Sequence, residues 1–281
     1  MTKDLIPCSV QVLTHNNEAT LGACLETLKS FAEVIVQDGY STDRTRAIAQ
    51  TFHNVRVLDQ DRTLLDTEGR MTDFAAMRNI GLGAATHEWI LMVDSDEEVS
   101  PDMAKEIKDI VSENIPGVYR VFRRFVVRGE RIMRCGGYPA YHIRLFHKSC
   151  IDGYVKSVHE KLSLHSGVMV QTLRSELLVP LPPASFLREK YQRYLTLEVA
   201  RQGIPAWAHW FRWSLFRNVR SILAILLRTA YVWIKPGKGK RMPIVYEWQA
   251  VQQLWWTTLL TFPPVARRRV SLQRVSVHHK R

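Results

Sequence analysis

Several features are missing from this 281-residue sequence, and each absence removes a class of protein. Its four cysteines, Cys8, Cys24, Cys135 and Cys150, stand apart with no C-x-x-C spacing, which argues against a zinc ribbon or a disulfide framework and leaves reduced structural thiols. A dinucleotide fingerprint is absent: Gly81-Leu-Gly83 lacks its third glycine and falls at the end of a helix pattern, where close packing or a helix stop explains it. No G-x-x-x-x-G-K-[ST] occurs, so a P-loop nucleotidase is excluded with the nicotinamide dehydrogenases. The first residues, Met1 to Cys8, contain no apolar leader, from which a cytosolic location is expected. No internal repeat or low-complexity segment is evident.

Acidic residues are also scarce, but only in one region. From Ala184 to Arg281 there are 18 Lys or Arg against 3 Asp or Glu, whereas residues 1–183 carry 21 against 24. The overall net charge of +12 therefore belongs to the last third. That third also holds seven of the eight tryptophans, a mixture suited to an anionic membrane surface or to nucleic acid. With 46% apolar residues the chain can bury a full core. Two parts are expected, an α/β domain over 1–183 and a basic, Trp-rich helical extension over 184–281.

In the first part, strand and helix patterns alternate. Ile6 to Leu13 reads as a strand, Glu18 to Phe31 as a helix with Leu21, Leu25 and Leu28 on one face, and Val34 to Val36 as a second strand. The turn-rich Asp38-Gly-Tyr-Ser-Thr-Asp43 follows, then a short strand from Val55 to Leu58 and a helix over Asp73 to Ala85. Trp89 to Val93 is a strand buried on both faces. Ser100-Pro101 opens another helix, with serine as cap and proline in the first turn, and Val118 to Val127 adds a strand. This order implies an α/β fold with a doubly wound, mostly parallel sheet.

The strand ending Leu91-Met-Val93 runs directly into Asp94-Ser-Asp96-Glu97. In open α/β sheets ligands gather at the carboxyl ends of strands, and magnesium or manganese needs only one or two protein carboxylates beside water and phosphate. Asp94 and Asp96 are therefore candidate metal ligands, although such acidic pairs also begin loops and cap helices.

Four motifs in order then resemble the family 2 glycosyltransferases of the GT-A nucleotide-sugar fold. They are Thr14-His-Asn16-Asn-Glu18, then Asp38-Gly-Tyr-Ser41-Thr-Asp43, then Asp73-Phe-Ala-Ala-Met-Arg78-Asn79, then Asp94-Ser-Asp96. Tyr141-His-Ile-Arg144-Leu-Phe146 and Val158-His159-Glu160 are similar to motifs of the subgroup described as lipopolysaccharide-core glucosyltransferases or glycan-biosynthesis enzymes. Two departures stand out: Asn17 where an acidic residue is frequent, and Tyr40 where glycine is usual.

The resemblance implies an inverting sugar transfer from a nucleoside diphosphate donor, with a uridine diphosphate sugar expected and Asp38 contacting uracil. Thr14, Asn16, Glu18, Ser41, Asp43 and Asp73 would shape the donor site; Asp43 also reads as a helix cap. Arg78 and Arg144 offer forked guanidinium groups to the diphosphate or donor sugar, with a solvated surface charge as the alternative for each. A cation on Asp94 and Asp96, Mg2+ or Mn2+, would offset charge on the departing diphosphate. Glu160, in a Gly-containing stretch read as loop, is the favoured base for the acceptor proton, with Glu97 and Asp152 as contenders. His159 could bind metal or phosphate, or be a structural hydrogen-bonder.

In the last third, Phe186 to Arg201 reads as an amphipathic helix that docks on the catalytic domain. Trp213 to Ile234 is apolar but interrupted by Arg217, Arg220 and Arg228 on one face, and each arginine at a bilayer centre would cost roughly 2.5 to 3.5 kcal/mol. Trp248 to Ala266 carries three glutamines and Pro263-Pro264. With Arg267 to Arg269 and Lys280-Arg281, these segments suit peripheral attachment to the inner face of a cell membrane better than a span. A helical subdomain packed on the core is the alternative. The acceptor expected is a lipid-linked or other cell-envelope glycan, with a polyprenyl phosphate as the rival. A nucleotidyltransferase or nucleotide-sugar hydrolase, and a nucleic-acid-binding module with a nucleotide-sensing α/β half, are the readings of other classes.

Overall fold

The computed structural model describes residues 5–66, 69, 71–157, 160–187 and 206–263. His159, most of the helix expected from Phe186 to Arg201, and the basic residues from Arg267 onward lie outside them. The chain divides into two compact units, Met1–Phe125 with Pro139–Pro180 and Val126–Tyr138 with Leu181–Arg281. The stretch Val126–Tyr138 thus joins the second unit, whereas the sequence places it in the first.

The first unit is a mixed sheet with helices. Strands β1 (Ile6–Thr14), β2 (Phe31–Asp38), β3 (Val55–Asp59) and β4 (Trp89–Asp94) form a parallel set in the order β3-β2-β1-β4. Their connections include helices α1 (Leu21–Thr27), α2 (Thr45–Gln50) and α3 (Phe74–Ala84). β1 is buried on both faces, with Cys8, Val10 and Val12 in the core and Ser9 and Gln11 equally enclosed. Such near-continuous burial is the mark of a strand covered on both sides.

Beyond β4 the sheet is not parallel, which corrects the expectation of a mostly parallel sheet. β5 (Glu98–Val99) leads into α4 (Pro101–Glu113), then β6 (Val118–Val127) and β7 (Glu130–Arg134). β8 (Tyr141–His147) lies between β4 and β6, antiparallel to both. β6 folds back through β7 and a short segment without a crossover helix, so β8 returns in the opposite sense. β9 (Ile151–Val155) and β10 (Lys161–Leu164) form a separate antiparallel pair, and β11 (Val170–Pro180) pairs with β5 and β6.

Local signals work where capping chemistry is complete. The Ser100 hydroxyl accepts from the Met103 amide with Pro101 in the first turn of α4, and Asn114 ends that helix in the left-handed conformation. α1 is shorter than its periodic pattern because Phe31 already opens β2, with the Ile6 amide bonded to the Ser30 carbonyl. The stretch after Cys150, expected as loop, contains β9, which includes Asp152.

In the second unit, the end of β6 turns into β7 through Arg128 and Gly129, both at positive φ, as a two-residue hairpin requires. A short strand, β12 (Lys240–Arg241), joins β7 in parallel. Helical turns over Trp207–Phe216 precede α5 (Arg217–Ile234), and α6 (Ile244–Thr261) pairs with it. The Arg134 guanidinium donates to the Val232, Lys235 and Gly237 carbonyls at the end of α5, offsetting the negative end of its dipole. Among the described residues no helix is long and apolar enough to cross a membrane.

Candidate active site

Strand register assembles the site. Thr14 pairs with Asp38 and Leu13 with Asp94, so residues from three separate sequence motifs meet at adjacent carboxyl ends of β2, β1 and β4.

The first two turns are stitched together by side chains that satisfy each other's backbone. Asn16, at φ 51°, donates its amide to the Ser41 hydroxyl, and its side-chain oxygen accepts from the Thr42 amide at 2.8 Å. The Ser41 hydroxyl and amide both donate to the Asp38 carboxylate, which is almost fully buried. Glu18 donates its amide to Asp43 and accepts from the Arg44 amide, while Asp43 also accepts from the Thr45 amide at the start of α2. Burial opposes ionisation of Asp43, but these hydrogen bonds outweigh it and lower its pKa.

The two departures from the usual pattern have physical accounts. Asn17 donates through its side-chain amide to the hydroxyls of Thr14 (3.3 Å) and Ser95 (2.7 Å), while its backbone amide donates to the Thr45 hydroxyl. A carboxylate there has no proton for either hydroxyl. Tyr40 adopts φ 59°, the region glycine usually fills, and is held by a bond from its hydroxyl to the Gln60 carbonyl and by the Arg62 guanidinium 4.3 Å from its ring centre. Asn17 stands out in the sequence only as a departure, and Ser95 not at all; the one signal for their contact is the unusual amide at position 17.

At the end of β4 lies a network of buried charges. Arg144 reaches Asp94 at 2.7 Å and Glu97 at 2.8 Å; Arg78 reaches Asp94 at 3.2 Å and Glu160 at 3.0 Å; Arg123 reaches Glu97 at 2.7 Å. Arg78 and Arg144 are each only 3% exposed. Burial alone would raise the Asp94 pKa, but Arg144 and Arg78 hold it well below the usual carboxylate range. Burial pushes Glu97 up, against Arg144 and with Asp94 adding to the rise. Arg144 is held protonated by Asp94 and Glu97 despite its burial. Among the described residues, Arg78 Nη1 and Arg144 Nε are buried without a hydrogen-bond partner.

These contacts give several of the expected residues structural partners. Both oxygens of Asp94 accept from arginines, so it anchors two guanidinium groups, while its side chain stays 38% exposed. Asp96 lies partly exposed just beyond the strand end, and the two carboxylates are hard-oxygen groups of the kind magnesium or manganese takes beside water and phosphate. Glu97 is 0% exposed and its carboxylate is held by Arg144, Arg123 and the Asp94 amide, so it is enclosed away from any acceptor. Asp152 is tied into the β9–β10 hairpin by Ser163 and His165. Asp73 caps α3, the helix that carries Arg78, accepting from the Ala76 amide. Glu160 retains partial exposure beside Arg78.

His142 was not singled out from sequence; it lies two residues before Arg144 on β8, across a shift in the β6–β8 register. Partial burial of the ring, together with the guanidiniums of Arg123 and Arg144, lowers its pKa to about 4, so it is neutral near pH 7.

The family model for glycosyl transferase family 2 matches residues 9–151, which contain the strand-end motifs and both buried arginines. The chain belongs to glycosyl transferase family 2. Among this family, the lipopolysaccharide core biosynthesis glycosyltransferase LpsC of Rhizobium meliloti is 27% identical over 121 residues, covering 42% of this chain and 43% of LpsC. The poly(ribitol-phosphate) beta-N-acetylglucosaminyltransferase TarS of Staphylococcus aureus is 30% identical over 112 residues, covering 38% of this chain and 19% of TarS. The crystal structure of S. aureus TarS 1-349 in complex with UDP-GlcNAc aligns over 90% of each chain with 15% identity and a TM-score of 0.46. This chain thus spans less than half the length of these curated relatives.

Proposed function

We propose that this family 2 glycosyltransferase moves a hexose from a uridine diphosphate sugar to a lipid-linked or other cell-envelope glycan, with inversion at the anomeric carbon. The observation that carries the reading is the pair of arginines, Arg78 and Arg144, anchored on Asp94 at the carboxyl end of β4. Two fixed guanidiniums suit the diphosphate of the donor, and their orientation is set before it arrives. The envelope acceptor draws support from the names of LpsC and TarS, which act on lipopolysaccharide core and on poly(ribitol-phosphate).

In the transfer, the bond from the anomeric carbon to the diphosphate oxygen breaks, and its electron pair leaves with the nucleoside diphosphate. The acceptor hydroxyl forms the new bond from the opposite face and its proton passes to the Glu160 carboxylate. Arg78 and Arg144 stabilise the charge gathering on the diphosphate. A divalent cation on Asp96 would supply Lewis acidity at the same oxygens. A single carboxylate base taking the acceptor proton fits single displacement, hence inversion.

The test incubates the chain and radiolabelled UDP-glucose, UDP-galactose or UDP-N-acetylglucosamine with membranes bearing unextended envelope glycan, with and without manganese. Transfer of label from one donor, lost in Arg144→Met, is expected. A label released by mild acid from a phosphate would identify the polyprenyl phosphate acceptor instead. Absence of transfer, together with no nucleotide-dependent rise in melting temperature, would sink the reading.

A further inference from the structure

The helix pair of the second unit is built inside out. Its buried side chains include Asn218 and Thr229 on α5 and Glu247, Gln249, Thr258 and Thr261 on α6. Asn218 donates to the Thr258 hydroxyl at 2.9 Å, Trp210 donates its indole N–H to the Thr258 carbonyl, and Glu247 accepts from the Gly136 amide at 2.7 Å. Val251 and Leu260 are buried with them, but large apolar side chains along α5 point outward: Phe216 is 70% exposed, Leu227 72% and Ile234 82%. At 100° per residue Phe216, Leu223, Leu227 and Ile234 fall within about 40° of one another, a continuous strip along the outer face.

Such an arrangement wastes apolar surface in water, where a helix turns that face to a core. In contact with lipid the relation reverses, with polar and small residues joining helices and apolar ones facing the acyl chains. Charge selects the partner. Positions 206–263 hold eight Lys or Arg and a single acidic residue, Glu247, which is buried. Arg217, Arg220 and Arg228 are all exposed and displaced to the same side of the strip, by about 40 to 120°. A second copy of this face would oppose cation with cation. Nucleic acid has no acyl region to cover leucine and isoleucine.

We propose that this helix pair docks in the plane of an anionic lipid surface, seating Phe216, Leu223, Leu227 and Ile234 among the acyl chains and the three arginines against phosphate headgroups. α5 is 18 residues, about 27 Å, and its arginines hold it at the interface rather than across it. The inference concerns binding and stands apart from the sugar-transfer reading.

The experiment is cosedimentation of the full chain with vesicles of phosphatidylcholine alone or mixed with phosphatidylglycerol. Binding to the mixed vesicles, at least tenfold weaker on phosphatidylcholine alone and reduced by salt, is expected. The combined variant Leu223→Ser, Leu227→Ser, Ile234→Ser keeps every charge, including those beyond residue 263, so a further tenfold loss reads the strip itself. Arg217→Gln, Arg220→Gln, Arg228→Gln should weaken the preference for anionic lipid. Circular dichroism checks that both variants remain folded. Equal vesicle binding by the serine variant and the parent, or no binding to anionic vesicles, overturns the proposal. A parent dimer that the serine variant converts to monomer without changing vesicle binding would show a subunit interface and overturn it too.

Discussion

The side-chain amide of Asn79 grips the backbone of Tyr154 at two points, donating to its carbonyl at 2.9 Å and accepting from its amide at 2.8 Å. Asn79 sits next to Arg78 on α3, and Tyr154 lies on β9, the strand that leads toward Glu160. The clamp therefore ties α3, which carries Arg78, to the strand that precedes Glu160. Gly153 completes it: φ is +130°, and a Cβ there would lie 2.9 Å from the Asn79 oxygen. Asn79→Ala should lower stability by about 2 kcal/mol, from two lost hydrogen bonds. Turnover should fall more than nucleotide binding does. Urea unfolding with steady-state kinetics measures both, and an unchanged kcat would show that the clamp does not set the geometry of Glu160.

Glu97 is enclosed between Arg144 and Arg123. Removing it in Glu97→Ala leaves the buried Arg144 and its neighbour Arg123 short of a counter-charge, a change that typically costs about 3–5 kcal/mol. Arg144 still has Asp94, so the lower end of that range is expected. A urea midpoint within experimental error of the parent would contradict the assignment.

Glu160→Gln keeps the shape of the side chain and its hydrogen bond with Arg78 but removes the proton acceptor. Sugar transfer should fall by about 10² to 10⁴, with the donor's dissociation constant little changed. Calorimetric titration beside turnover separates the two; full activity in the glutamine variant would move the base elsewhere, with His142 the next residue to replace.

Acid sensitivity should come in part from Glu33. Burial would raise its pKa, but hydrogen bonds from the Ser9 hydroxyl, the Thr86 amide and hydroxyl, and Arg56 bring it down to about 2 from 4.5. A depressed carboxylate stabilises the fold fully above its unfolded pKa of 4.5, and that contribution is lost as pH falls toward 2. The gap corresponds to about 3 kcal/mol. Glu33→Gln should therefore be less stable than the parent at pH 7, with the difference shrinking between pH 4.5 and 2. A difference independent of pH across that window would assign the effect to packing.

Much of the scaffold is legible locally. The run Trp89 to Val93 is too short and apolar for a surface helix, and Ser100-Pro101 carries its own cap chemistry, so both elements stand where expected. Strand ends carrying Thr14, Asp38 and Asp94 could also be read as one edge, because parallel strands joined by helices present the same ends to the same side. The antiparallel entry of β8 could not, since nothing within Tyr141 to His147 states its direction.

The sequence by itself determined which residues could carry charge to the end of β4, since apolar strands and capped helices follow from local chemistry. Tertiary structure alone decided how those charges are partnered. Asp94 became an anchor for Arg78 and Arg144, Glu97 was enclosed, and Asn17 came to bridge Thr14 and Ser95. The partners lie 16, 47, 50 and 78 positions apart, and the energy of a charge or hydrogen bond depends on distance in space and on exclusion of water, neither of which the order of residues expresses.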